Sequence, residues 1–244
     1  MKFKGKLGKS VALLTALIFV LGVFAAGCGE SKDTIKIGVN YELSGPVATY
    51  GTSCKNGIML AFDEINKEGG VLGKQIEGLV QDNKSQNREA RNVAEKLVSK
   101  GVVAIIGPAT TGNVQAEEPF LTKSKIPLLA TAATAPEVTY DEKTKKVRDY
   151  VFRVCIIDPD QSQVMSNYIS DELQLKNGAI MVDKNNDYSV GLGKTFKEFF
   201  TDKGGKIVAE EGFVDTDTVF KPQLTSIAAK KPDFIYIPAY YNQV

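Results

Sequence analysis

The stretch "KLVSKGVVAIIGPATTGNV", residues 96–114, contains the unit that decides the fold. A helical pattern ends at Gly101, the apolar run "VVAIIG" follows at residues 102–107, and small polar residues then lead into another helical pattern. A short run rich in β-branched residues between two helices is typical of a strand that is buried on both faces. The stretch therefore predicts a parallel β-sheet with helices on both sides.

The same alternation extends in both directions from this stretch. Segments 63–82 and 198–215 each contain a helix end, a Gly-Gly stop and a strand that closes on Asp, which predicts two similar α/β lobes. The lobes would meet within residues 140–158, and Ser85 is predicted to cap the second helix. The other predicted strands cover residues 34–40, 74–82, 126–130, 150–157, 179–183, 206–214 and 232–238, and the predicted helices cover 53–70, 85–101, 112–124, 160–178, 190–205 and 219–231.

The first 27 residues have the composition of an export signal. Four lysines in a basic start are followed by an uncharged apolar run of 16 residues, 11–26. A membrane-spanning helix, the alternative, needs about 20 apolar residues. The shorter run, which ends in small residues, favours a cleavable signal peptide over residues 1–27.

The signal ends at "AAGC", residues 25–28, which resembles the lipobox of bacterial lipoproteins. The resemblance implies acylation of Cys28 and a lipid-anchored tether over residues 28–33, whereas ordinary secretion would discard Cys28 with the signal. The other two cysteines, Cys54 and Cys155, have no framework spacing, so we predict free thiols rather than the one disulfide that an exported protein could form.

Charge and composition exclude several classes of function. Without residues 1–27 the chain has 26 basic and 29 acidic residues, a net charge of −3, which gives no electrostatic basis for nucleic-acid binding. The chain contains no His, which excludes His-based triads, the HExxH zinc motif and imidazole general bases. The sequence therefore predicts no enzyme activity, no cofactor and no metal site. An exported enzyme is the third class of function, after a transport protein and a receptor domain, and the missing His argues against it.

Small hydroxyl residues follow the predicted strands of the first lobe. Thr110 and Thr111 stand where a helix begins, and backbone N–H groups there attract an anion such as a carboxylate. Ala132, Ala133 and Thr134 follow the next strand and offer carbonyls and a hydroxyl, which suit an ammonium group. The two ends together predict a site for an α-amino acid, and the alternative is that these threonines only cap helices and form turns.

Tyrosines lie at strand ends or in the loops after them. Such a ring covers an apolar side chain while its hydroxyl reaches a polar group, and packing or surface exposure is the alternative role. Half a site on each lobe predicts closure around the ligand by a hinge. The tyrosines in question are Tyr50, Tyr188, Tyr240 and Tyr241.

The segment "GLGKT", residues 191–195, ends like a phosphate-binding P-loop. That motif requires a first Gly at position 188, which is Tyr in this chain. We therefore predict that Gly191 and Gly193 let the start of a helix pack closely on a strand.

Several segments together resemble the leucine/isoleucine/valine-type substrate-binding proteins of amino-acid ABC transporters. They include "IGVNYELSGPVATYG" (37–51), "IIGPATTGNVQA" (105–116) and "DFIYIPAYYN" (233–242), and the resemblance covers residues 34–244. It implies a two-lobed, type I periplasmic-binding-protein fold with parallel sheets flanked by helices. The lobes would cover residues 34–153 and 154–244. The second lobe would be incomplete, because members of the family continue beyond this point. We therefore expect impaired folding or ligand binding of the chain as given.

The resemblance also implies roles for individual residues. Thr111, or Thr110 in the neighbouring register, would bind the ligand carboxylate. Thr134 would bind both the carboxylate and the ammonium group, and the Ala132 carbonyl would accept from the ammonium group. Tyr50 and Tyr188 would flank the ligand and Tyr240 would join them, whereas Arg153, Asp158 and Gln161 match the interlobe crossing and would be structural or hinge residues.

The function that the resemblance implies is capture of a branched-chain or related amino acid and its delivery to an ABC permease. The protein would be a monomer on the extracytoplasmic face of the membrane. A sensor domain of an amino-acid receptor, or a binder of amides or urea, is the alternative.

Overall fold

The computed structural model describes residues 34–243. The predicted signal peptide (1–27) and tether (28–33), including Cys28, lie outside the described residues. No helix within 34–243 combines the length and apolar character needed to cross a membrane. Cys54 and Cys155 are both free thiols, as predicted.

The first lobe is built on a five-stranded parallel sheet with helices on both faces. The strands are β1 (Ile35–Tyr41), β2 (Ile76–Asp82), β3 (Ala104–Ile106), β4 (Leu128–Ala130) and β7 (Val151–Arg153), and the helices are α1 (Ala48–Lys67), α2 (Asn87–Ser99) and α3 (Thr111–Ser124). The order of the strands in the sheet is β2-β1-β3-β4-β7.

The second lobe is built on a three-stranded parallel sheet. Its strands are β8 (Asn177–Asp183), β9 (Lys206–Phe213) and β10 (Phe234–Tyr236), and its helices are α4 (Asp158–Asn167), α5 (Asp187–Asp202) and α6 (Lys221–Ala229). The strand order is β10-β8-β9. Helix α4 packs against α5, and a π-helical turn, Tyr168–Glu172, extends α4.

Each face of the first sheet has its own apolar core. Leu97 of α2 and Leu121 of α3 are fully buried against Ile105 on one face. Phe62 of α1 packs with Val39 on the other face. Burying a side chain of this size contributes about 1.5–3 kcal/mol, so both helix layers are firmly attached to the sheet.

The core of the second lobe is largely aromatic. Phe196 stacks on Tyr236 with ring centroids 3.9 Å apart, and Phe200 meets Phe234 edge to face. Gly193 lies directly on the sheet, because a Cβ there would come within 2.8 Å of Val182 Cγ1. The prediction that glycine allows this helix to pack on a strand is confirmed for Gly193. At Gly191 the nearest group is instead the carboxylate of Asp158.

The parallel α/β fold with flanking helices is confirmed, and the differences are local. Ser85 does not cap α2, and that prediction is wrong: Gln86 is the N-cap residue, and the Ser85 hydroxyl donates to Ser44 O at 2.8 Å. The reason is its φ of +58°, which lies far from the extended backbone of an N-cap residue. Helix α5 begins at Asp187 rather than 190, because the Asn186 side chain accepts a hydrogen bond from the Ser189 N–H.

The stretch between the lobes departs most from the predicted elements. Its charged part forms a 3₁₀ turn (Pro136–Val138) and a hairpin of β5 (Tyr140–Asp141) and β6 (Lys146–Val147). Strand β7 ends at Arg153, although the apolar pattern continues to residue 157. The boundary of the lobes between residues 153 and 154 stays a prediction.

Candidate functional site

A cavity of about 280 Å³ lies between the two sheets, where the strands of both lobes end. Seven of the eight residues predicted to bind a ligand line it, and Ala133 lies buried behind the wall. That these residues contact a ligand stays a prediction. The lining residues are Tyr50, Ser53, Cys54, Ala109, Thr110, Thr111, Ala132, Thr134, Gln161, Tyr188, Ala239 and Tyr240.

The start of helix α3 is partly occupied by a carboxylate of the protein itself. Glu42, fully buried after β1, accepts hydrogen bonds from the N–H groups of Ala109 and Thr110 at 3.0 and 3.1 Å. It also accepts from the Thr110 hydroxyl at 2.8 Å and from Asn113 Nδ2 at 2.7 Å. The helix start therefore does attract an anion, and Glu42 is the first one that it binds.

This arrangement distinguishes the two neighbouring threonines. Thr110 is the N-cap of α3, and both its N–H and its hydroxyl donate to Glu42. Thr111 is the first helical residue and lines the cavity, and no hydrogen bond to Glu42 involves it in the described part of the chain. Thr111 is therefore better placed than Thr110 to donate to a second anion.

The loop after β4 is held by the segment that leads into the second lobe. Arg153 donates to the carbonyl of Ala135 at 2.6 Å, and Cys155 Sγ donates to the carbonyl of Ala133 at 3.5 Å. The Asp158 N–H donates to the carbonyl of Thr134 at 3.0 Å. Ala132 and Thr134 of the same loop line the cavity.

Four tyrosines bridge the lobes around this cavity. The rings of Tyr188 and Tyr240 stack with centroids 5.2 Å apart, and Tyr50 meets Tyr240 edge to face at 5.9 Å. Tyr241 contacts Tyr50 edge to face, and its hydroxyl accepts from the Thr49 N–H at 3.2 Å. Burial raises the pKa of Tyr188 to about 12, and that of Tyr240 is raised as well, so both hydroxyls remain protonated at neutral pH.

Asp158 lies between the loop after β4 and helix α5. It is fully buried, and burial raises the pKa of its carboxyl to about 6. Its Oδ1 accepts a hydrogen bond from Gln161 Nε2 at 3.3 Å. For both residues the family resemblance implies a structural or hinge role, and Gln161 also lines the cavity.

Sequence reasoning missed several groups of the site. Glu42 is a single acid after a strand, and its partners lie far along the chain, so no local spacing reveals it. Ser53 and Cys54 lie on α1, where the helical pattern assigns residues only to a packing face or a solvent face.

A second opening of about 370 Å³ shares Thr110 and Tyr240 with the cavity. Asn and Asp side chains dominate its wall, including Asp183, whose Oδ2 accepts from Gln243 Nε2. It contains none of the other predicted residues, so we assign the candidate site to the smaller cavity. Across residues 34–243 no group of three or more Cys, Asp or Glu side chains could hold a metal ion.

Two α/β lobes with a cavity of small residues, hydroxyls and tyrosines between their strand ends define a bilobal ligand-binding protein. The profile of the family described as "Periplasmic binding protein" matches residues 34–242, and the chain belongs to this family.

Three relatives illustrate the likeness. The chain is 32% identical to the Leu/Ile/Val-binding protein BraC3 of Rhizobium johnstonii, over 86% of this chain and 55% of the relative. It is 42% identical, with a TM-score of 0.78, to the branched-chain amino acid transporter substrate binding protein LivJ of Streptococcus pneumoniae in complex with isoleucine, over 86% of this chain and 58% of that one.

A third similarity extends to a different ligand. A solute binding protein of an ABC transporter from Rhodopseudomonas palustris, solved with 3,4-dihydroxy benzoic acid, is 28% identical with a TM-score of 0.70, over 85% of this chain and 55% of that one. The chain thus spans between 55% and 58% of the length of these three proteins.

Proposed function

We propose that this chain is the ligand-capturing part of an extracytoplasmic solute-binding protein that delivers a branched-chain or related amino acid to an ABC permease. The observation that carries the proposal is the interlobe cavity, whose lining includes Thr111 at the start of helix α3 and Ala132 and Thr134 of the loop after β4. The names of the Rhizobium and Streptococcus relatives support the choice of ligand class.

The first lobe would bind the two charged groups of the amino acid. Thr111 offers its N–H and hydroxyl at the first turn of α3, where the helix dipole favours a carboxylate. Ala132 and Thr134 offer a carbonyl and a hydroxyl to the ammonium group. Because the lining offers both donors and acceptors, a zwitterion would suit it better than an anion or a cation alone.

The second lobe would enclose the ligand side chain. The stacked rings of Tyr188 and Tyr240 line the cavity, and Tyr50 of the first lobe lies against Tyr240. Aromatic faces contact aliphatic groups well without demanding a single geometry. Closure of the lobes would exclude water from the ligand, and no bond is made or broken in this function.

Three further features belong to the proposal. Acylated Cys28 would anchor the protein to the membrane, the protein would act as a monomer, and an ABC permease would be its partner. Aromatic acids are the second ligand class, which the dihydroxybenzoate-bound relative and the tyrosine-lined cavity favour.

The test is a ligand screen on the full-length protein. Thermal shift with the amino acids and with benzoate derivatives, followed by calorimetry, should give the largest shift and the tightest binding for leucine, isoleucine or valine. A shift with benzoates alone would move the protein to the second ligand class. No shift with any member of either set would refute the proposed function.

A further inference from the structure

The N–H groups at the start of helix α1 find their acceptors in different parts of the molecule. Val47 is the N-cap residue of this helix, and its side chain cannot accept a hydrogen bond, so the first N–H groups need other partners. The Ala48 N–H donates to the carbonyl of Gly45 at 3.3 Å, and the Tyr50 N–H donates to the carbonyl of Val47 at 3.1 Å. Both of these acceptors belong to the first lobe.

The N–H group between these two has its acceptor on the other lobe. The Thr49 N–H donates to the hydroxyl oxygen of Tyr241 at 3.2 Å, although the two residues are 192 positions apart. Tyr241 follows strand β10, which lies in the sheet of the second lobe. Of the three N–H groups Ala48, Thr49 and Tyr50, the middle one is therefore bonded across the cleft.

The ring of Tyr241 makes a second contact with the same helix start. It meets the ring of Tyr50 edge to face, with centroids 4.9 Å apart and an angle of 84° between the planes. Tyr50 lines the cavity, whereas Tyr241 lies outside the described lining. Because Tyr50 directly follows Thr49 in the helix, Tyr241 fixes the backbone at one residue and the side chain at the next.

Both contacts depend on how the lobes are placed. Helix α1 is attached to the first sheet through Phe62, and Tyr241 moves with the second sheet. The side chains of Tyr50 and Tyr241 are partly exposed, so the contact can separate without opening an apolar core. Separation of the lobes would leave the Thr49 N–H to water, while the N–H groups on either side keep their acceptors.

We infer that Tyr241 is a positioning residue of the candidate site, which completes the start of helix α1 from the opposite lobe and holds the Tyr50 ring in the cavity wall. Closure of the lobes thereby determines the shape of the wall on the side of the first lobe. The inference rests on the proposed function, because it assumes that a bound amino acid keeps the lobes together. The family resemblance implies no role for Tyr241.

The test is amide hydrogen exchange on the full-length protein, resolved by residue, with and without leucine. Leucine should slow exchange at Thr49 about threefold or more in the wild type, and should change exchange at Ala48 and Tyr50 less than about twofold. Tyr241→Phe keeps the ring and removes the acceptor, so the effect of leucine at Thr49 should disappear. The matched control is Tyr168→Phe, at an exposed tyrosine of the second lobe, which should retain the effect.

Binding kinetics give a second measurement of the same role. The contacts of Tyr241 form only as the lobes close, so Tyr241→Phe should raise the dissociation rate of leucine about threefold and leave the association rate within about twofold. Tyr241→Ala also removes the ring and should raise the dissociation rate about tenfold. The melting temperature of the unliganded Tyr241→Phe protein should equal that of the wild type.

The outcomes that contradict the inference differ from the one that contradicts the proposed function. If the wild type binds leucine by calorimetry but exchange at Thr49 does not change, the inference is overturned. Equal slowing at Thr49 in the wild type and in Tyr241→Phe overturns it as well, because the acceptor would then be another group. A wild type that shows no leucine binding by calorimetry would refute the proposed function, and the inference with it.

Discussion

The two lobes contribute to the cavity in different ways. The first lobe offers backbone groups and hydroxyls that are held by a buried polar cluster of hydrogen-bonded side chains. The second lobe offers the rings of Tyr188 and Tyr240, which are held mainly by stacking. The buried polar cluster consists of Asn40, Glu42, Asn83, Asn113 and Glu117.

This difference separates two tasks of recognition. Hydrogen bonds require fixed directions, so the groups that we propose to bind the constant, charged part of an amino acid are the ones held most firmly. Aromatic rings accept apolar groups of several shapes, so under the proposed function the variable side chain would meet the less constrained lobe. Burial raises the pKa of Glu117 well above its usual range, so the surroundings of this fully buried member of the cluster favour the uncharged form.

The largest effect is expected from removing an acceptor of the buried polar cluster in the first lobe. Glu42→Ala should lower the free energy of unfolding of the full-length protein by about 3 kcal/mol or more, since four buried donors lose their acceptor. Urea titration measures this free energy of unfolding. The control is Glu95→Ala at an exposed position, whose free energy of unfolding should stay within about 0.5 kcal/mol of the wild type. A loss below about 1 kcal/mol would show that the first lobe is not fixed in this way.

The second prediction concerns Asp158, which lies between the lobes, and the dependence of stability on its protonation. Its carboxyl has a pKa of about 6 in the fold and about 3.9 in an unfolded chain, so the protonated form stabilises the unliganded protein. This stabilisation, roughly 3 kcal/mol in all, is complete below about pH 4 and is lost as the pH rises through about 6. Thermal unfolding of wild type and Asp158→Asn should diverge over this window, and parallel curves would contradict the prediction.

Thr134→Val tests the polar contribution of the first lobe to binding. The substitution keeps the shape and removes the hydroxyl, so the leucine affinity should fall about tenfold while the melting temperature changes little. Calorimetry on the full-length protein measures it, beside Thr144→Val in the exposed turn of the β5–β6 hairpin. Unchanged affinity would remove Thr134 from the proposed site.

The smallest effect is expected on the side of the second lobe. Tyr188→Phe retains the ring that stacks on Tyr240, so the leucine affinity should change less than about threefold. Tyr188→Ala removes the ring and should cost about tenfold. If both variants lost the same affinity, the second lobe would bind through its hydroxyl, and the contrast between the lobes would fail.

Much of the fold follows from the sequence because it depends on local periodicity. The strand at 104–106 and the helices beside it are predicted from β-branched residues and glycine stops, and the structure confirms them. The end of β7 at Arg153 is not predictable in this way. Its cause is tertiary, since Arg153, Cys155 and Asp158 donate to the loop after β4 instead of continuing the sheet.

The residues of the candidate site also differ in whether local sequence predicts them. Thr111, Thr134 and Tyr188 are predicted from their places at strand ends, and the structure brings them to one cavity. Glu42 and the buried carboxyl of Asp158 are not predictable, because burial and hydrogen-bond partners depend on residues far apart in the chain.

The bonds between residues 153–158 and the loop after β4 have a mechanical consequence. The chain that connects the lobes is attached to the loop that would bind the ammonium group, so any rotation of the second lobe must pivot at or beyond Asp158. Atoms close to a pivot move least. Under the proposed function, the ligand would stay with the first lobe on opening while Tyr188 and Tyr240 move away with the second lobe, and release to the proposed permease would require only that the second lobe be held back.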